Sequence, residues 1–84
     1  MPEISRFYGI IIKMYFRQAE HNPPHLHALY GDCMSAIDIK TGEVLEGDLP
    51  GKGLALVREW LDLHRDALLE IWSTQEFKKL PPLV

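Results

Sequence analysis

Eighty-four residues, 46% of them hydrophobic, suit one small globular domain and exclude disorder, collagen-like repeats and a division into several domains. Nine basic against twelve acidic groups leave a formal charge of −3, which disfavours a general nucleic-acid binder. The longest uncharged apolar run, residues 7–12, falls far short of the roughly 20 residues a membrane-spanning helix needs.

Residues 3–17 alternate with period two. Ile10, Ile12, Met14 and Phe16 fall on one side, Ile11, Lys13, Tyr15 and Arg17 on the other, which predicts two strands or one bent one. Gly9 marks a turn between the segment 4–8 and the strand that follows. The run His21-Asn22-Pro23-Pro24 then stops regular structure, because a residue before proline is driven out of the α region and proline cannot donate to a ladder. From His25 a strand resumes, with Leu26, Ala28 and Tyr30 on one face and His25, His27 and Leu29 on the other. Gly31-Asp32 forms a turn, residues 35–40 a further strand with Ile37 and Ile39 inward, and Thr41-Gly42 a hairpin signal before Val44 and Leu45. Such short connections make the four or five strands mostly antiparallel.

Composition changes at Leu49-Pro50. Asp48 is the expected helix cap, Pro50 suits the first turn, and Leu54, Val57, Leu61, Leu68 and Trp72 recur at helical spacing. Leu56, Trp60, Leu63, Ala67 and Ile71 widen that stripe. The pattern predicts one long helix, or two with a joint near His64-Arg65-Asp66. The stripe is wider than one face of a small sheet usually covers, so a homodimer is expected. The fold class is therefore α+β: a single domain, 1–84, with an antiparallel sheet half (1–47), a helical half (48–77) packed on one face, and an extended tail (78–84).

The charge divides unevenly. Residues 1–42 balance four basic against four acidic groups, and the whole −3 lies in residues 43–84. His21, His25 and His27 sit in the neutral half, whose sign changes if they take up protons. The start Met-Pro-Glu lacks the features of a secretory leader. The lone Cys33 makes no internal disulfide, so a reducing cytoplasm is the expected location.

His21-Asn22-Pro23-Pro24-His25-Leu26-His27 is the one dense cluster of chemically able side chains. Residues two apart on a strand share a face, so His25 and His27 project together, and the stiff Pro-Pro corner could return His21 toward them. Three imidazoles on a rigid frame fit two kinds of chemistry. One is coordination of a divalent transition metal such as zinc by His21, His25 and His27, with Asp32 or His64 completing the set. The other is acid–base catalysis, with His25 and His27 as general base and acid and His21 in support. Lys13 and Arg17 would then hold a phosphate, and Tyr15 would stack on a base or donate a hydrogen bond. Against both stands a structural turn whose imidazoles bond backbone carbonyls. Gly51-Lys52-Gly53 at the helix start lacks the full phosphate-loop pattern, and Trp60 and Trp72 read as core or interface anchors.

His25-Leu26-His27-Ala28-Leu29 shares only two alternating histidines with the histidine-triad nucleotide hydrolases, and Leu29 stands where the third would be. A longer resemblance runs through Met1-Pro2-Glu3-Ile4-Ser5-Arg6-Phe7-Tyr8-Gly9-Ile10, the block 21–27, the stretch Gly42-Glu43-Val44-Leu45-Glu46-Gly47-Asp48-Leu49-Pro50, and Trp60-Leu61-Asp62-Leu63-His64-Arg65 with Leu68-Leu69-Glu70-Ile71-Trp72. In these motifs the chain resembles the small bacterial family catalogued as domain of unknown function 4160. Some members of that family carry the label of toxin in a two-gene toxin–antitoxin pair. The resemblance thus implies a toxin-type role on RNA or nucleotides and a small cognate antitoxin-like partner. A metal-site protein and a non-enzymatic interaction module, using a sheet edge or the tryptophan-bearing helix, are the alternatives.

Overall fold

The structure is a computed structural model and describes residues 3–14 and 23–83. Five strands form one antiparallel meander in sequence order: β1 (Glu3–Phe7), β2 (Ile10–Lys13), β3 (His25–Tyr30), β4 (Cys33–Asp38) and β5 (Val44–Gly47). One helix, α1 (Gly51–Thr74), follows and covers one face, so the α+β reading holds.

Local chemistry sets the turns. Tyr8 and Gly9 both take positive φ, 49° and 79°, as the mirror-image two-residue hairpin between β1 and β2 requires. Gly31, at φ 60°, opens the two-residue turn between β3 and β4, where only the first central residue takes positive φ. After β4 the Asp38 carboxylate accepts from the backbone N–H of Lys40 (2.7 Å) and Thr41 (3.1 Å), which fixes the approach to β5. Gly47 ends β5 at φ 72°, where a Cβ would overlap the Met34 carbonyl oxygen. Only glycine fits there.

Alternate strand residues face the helix. Ile10 and Ile12 of β2, Leu26 and Ala28 of β3 and Ile37 of β4 are fully buried against Val57, Trp60, Leu61, Leu68 and Ile71 of α1. The apolar stripe predicted to exceed the sheet is nonetheless covered within the chain. The tail supplies the difference: Trp60 Nε1 donates to the Pro81 carbonyl (2.8 Å), Leu80 N–H to that of Ile4 (2.8 Å), and Phe77, Leu80 and Leu83 pack on the core. On the helix Leu63 alone among the large apolar side chains stays mostly exposed.

The helix boundaries depart from expectation. Asp48 does not cap α1; the cap position is Pro50 (φ −53°, ψ 144°), with no side-chain bond to the first turn. Leu49 is drawn into the core, and Asp48 is left exposed on the link before it. The helix stops at Thr74, where Gln75 turns left-handed (φ 59°) and donates its N–H to the Ile71 carbonyl. His64 (φ −118°, ψ 16°) breaks the helical path at the predicted joint. There Arg65 Nε donates to the Ile39 carbonyl (2.9 Å), tying the kink to the sheet. Among the described residues no helix is long and apolar enough to cross a membrane.

Candidate functional site

The sheet face opposite the one that buries Ile12 and Leu26 carries the candidate chemistry, and at one end of it His25 reaches Trp72 of α1. Strand pairing sets Glu3 opposite Lys13, Lys13 opposite His27, His27 opposite Ala36, and Ala36 opposite Glu46. One row of side chains therefore crosses all five strands in the order Glu3, Lys13, His27, Ala36, Glu46. Directly opposed residues place their Cβ atoms about 4.5–5.5 Å apart, so Lys13 and His27 are neighbours. Ala36, the small and buried member, stands between His27 and the exposed Glu46.

His25 lies two residues before His27 on the same face, and the rings meet edge to face with centroids 5.2 Å apart at 69°. The other side of His25 rests on Trp72 of α1, centroids 5.0 Å apart. Its Nδ1 is 2.9 Å from the Pro23 carbonyl oxygen, which can only accept, so Nδ1 carries the hydrogen and Nε2 is the remaining nitrogen. With 7% of its surface exposed, His25 is a buried side chain and His27 a half-buried one. The carbonyl bond expected of a structural turn is thus present at His25, beside a second imidazole that is more accessible.

Burial holds the pKa of His27 below the usual imidazole value of 6.5, because the partly dehydrated ring is a poor place for a cation. The adjacent His25 pushes in the same direction, and the carboxylate of Glu46 opposes both. At neutral pH this environment favours the neutral, proton-accepting form of His27.

Of the residues singled out in the sequence, Lys13, His25 and His27 come together on one face. His21, Tyr15 and Arg17 lie outside the described residues. Asp32 sits in the turn beyond the far end of β3, five residues after His27 and well over 10 Å away at the strand rise. His64 stacks on Trp60 at the helix kink, centroids 5.0 Å apart. Among the described residues no three His, Cys, Asp or Glu side chains gather in a way that could hold a metal ion. Lys52 lines a separate cleft of about 340 Å³ with Tyr8, Tyr30, Gly53 and Leu56, at the opposite end of β3 from His25. Cys33 is half-buried against the core.

Three contributors escaped the sequence reading: Glu46, Ala36 and Trp72. The hairpin signal at Thr41-Gly42 placed β5 beside β4, but the register that sets Glu46 in the histidine row depends on an irregularity between Ala36 and Ile37. Trp72 meets His25 across 47 positions, and no local pattern reports such a contact.

The model of the family described as domain of unknown function (DUF4160) matches residues 9–73. The chain belongs to this family. The match takes in β2, the histidine strand β3, β4, β5 and nearly all of α1, so the whole described part of the candidate row except Glu3 lies in the DUF4160 region. No curated protein and no solved structure matches.

Proposed function

We propose that this DUF4160 protein acts on RNA or a nucleotide through its histidine face, as the toxin-type member of a toxin–antitoxin pair. The observation that carries the reading is the register that sets Lys13 directly across from His27. In this reading the Lys13 ammonium holds a phosphate and offsets the charge that develops on it. His27, kept neutral by burial and by His25, accepts the proton of the RNA 2′-hydroxyl as its oxygen attacks the neighbouring phosphorus; the P–O5′ bond breaks and the departing 5′-oxygen takes a proton from water. His25 is the positioning residue: its bond to Pro23 and its seat on Trp72 fix the ring that His27 leans against. The mechanism asks little of the overall charge, since one cation beside one neutral imidazole is a local device.

Purified full-length chain is expected to cleave a mixed single-stranded RNA or a dinucleotide. His27→Ala should remove that activity, and Lys13→Ala should lower it by about tenfold or more through weaker phosphate contact. RNA left intact by the wild-type chain, or equal cleavage by wild type and His27→Ala, overturns the reading.

A further inference from the structure

The sheet has two edges, and the chain treats them differently. At β1 the tail lies alongside: the Leu80 N–H donates to the Ile4 carbonyl, 2.8 Å, and closes that side. At the other edge, among the described residues, β5 pairs with β4 on one side only, and all four of its residues are exposed. Val44, opposite Ile37 of β4, and its neighbour Leu45 leave 36% and 44% of their surface in solvent. An open strand edge with apolar side chains beside it is a template for one more strand.

The charge around β5 selects what can pair there. Residues 43–48 read Glu43-Val44-Leu45-Glu46-Gly47-Asp48, three acids and no base, and all six are exposed. A second copy laid on this edge would bring three more acids to the three already there, with no base on either side. Like charges directly opposed across strands are destabilising, so the acids guard the edge against self-pairing. They place no such barrier before a cationic strand. The same residues that reject a copy attract lysine and arginine, which is how one surface achieves specificity by repulsion and attraction together.

We propose that the β5 edge accepts an extended, lysine- or arginine-bearing segment of another polypeptide as a sixth strand of the sheet. Main-chain hydrogen bonds to β5 supply the docking, Val44 and Leu45 supply apolar contact, and Glu43 and Asp48 choose the basic partner. The inference does not need the chemistry of the histidine face: Lys13 and the histidines take no part, and Glu46, which borders both, is left unchanged in the test.

The test uses the full chain, labelled with ¹⁵N, and blocked peptides of about ten residues, long enough to span a strand. One alternates lysine with valine, a second replaces lysine by glutamate, and a third is the lysine peptide with proline at its centre, which cannot donate to the ladder. The lysine peptide is expected to shift the backbone amides of residues 44–47 saturably, about tenfold or more tighter than the other two, and more weakly as salt is raised. The double variant Glu43→Lys with Asp48→Lys changes two exposed side chains and should reverse the preference toward the glutamate peptide. Three results overturn the proposal: no shift at 44–47 with the lysine peptide, a preference that survives the charge reversal, or concentration-dependent shifts at 44–47 in the protein alone, which assign the edge to a second copy. Should the double variant fail to fold, the wild-type ranking of the three peptides and its salt dependence decide the matter by the same criteria.

Discussion

Ile12 and Lys13 are neighbours on β2, yet Ile12 is fully buried beneath α1 while Lys13 stands beside His27 on the opposite face. The same alternation separates Leu26 and Ala28 from His25 and His27 on β3. The helix-side face is aliphatic and aromatic, and folding alone accounts for its composition. The other face holds an ammonium, two imidazoles and two carboxylates in and around one row, and burying a pair of imidazoles there works against stability. Residues that cost stability and are not needed to fill a core are the ones for which a role beyond folding should be sought.

The sharpest way to test the contrast is at Trp60. It is fully buried, stacks near Phe7 with centroids 5.6 Å apart, and holds the tail through its bond to Pro81. Trp60→Ala should cost about 3–5 kcal/mol, a large share of what so small a domain has, and in denaturant titration the chain should be largely unfolded or sharply weakened. A loss under about 1 kcal/mol would mean that the helix-side face is not the stabilising one.

A finer test compares adjacent residues of one strand. Ile12→Ala should cost about 2–5 kcal/mol, because it empties space in a closed core. Ile11→Ala, on the half-buried side of the same strand, should cost clearly less. Equal losses from the two variants, read from chemical denaturation midpoints, would show that the two faces are equally packed and erase the distinction.

These neighbours also show what could be read from the chain. The period-two pattern around residues 10–13 and 25–30 assigns each strand's inner face, because alternation is fixed by backbone geometry and needs no tertiary information. The joint near His64 was one of two readings of the helix, and the non-helical φ and ψ of His64 fall there. The helix start was not: Asp48 has the chemistry of a cap, but the burial of Leu49 outweighs a bond that typically contributes about 1 kcal/mol. The closing of β1 by the tail was hidden for a related reason. Residues 78–82 carry no alternation, and their place is set by Trp60 and Ile4, both distant in sequence. In the candidate site the alternation brought His25 and His27 together and put Lys13 on an outward face. The Lys13–His27 pairing needed the register of β2 on β3, and the burial of His25 needed Trp72 from the far end of the chain.

The smallest expected effect bears most directly on the histidine face. Burial of His27, and then its neighbour His25, hold its pKa below 6.5, with Glu46 pulling the other way. Titration followed by NMR should therefore place the His27 midpoint under that value. His25→Gln, which keeps a buried polar side chain but removes the neighbouring imidazole, should move it part of the way up; Glu46→Gln should move it further down. The sign for stability follows from proton counting. Between the lowered folded value and 6.5 the unfolded chain binds more protons than the folded one, so stability rises with pH across that window and is lost as pH falls below about 6.5. Exposure to water screens part of this, so the loss is modest. Replacing the ring in His27→Gln should shrink the difference between denaturation midpoints at about pH 7 and about pH 5.5. If the variant loses as much stability on acidification as the wild type, His27 is not held neutral by its surroundings. The face would then offer a solvated imidazole beside a lysine, with no environment that prepares the ring to accept a proton.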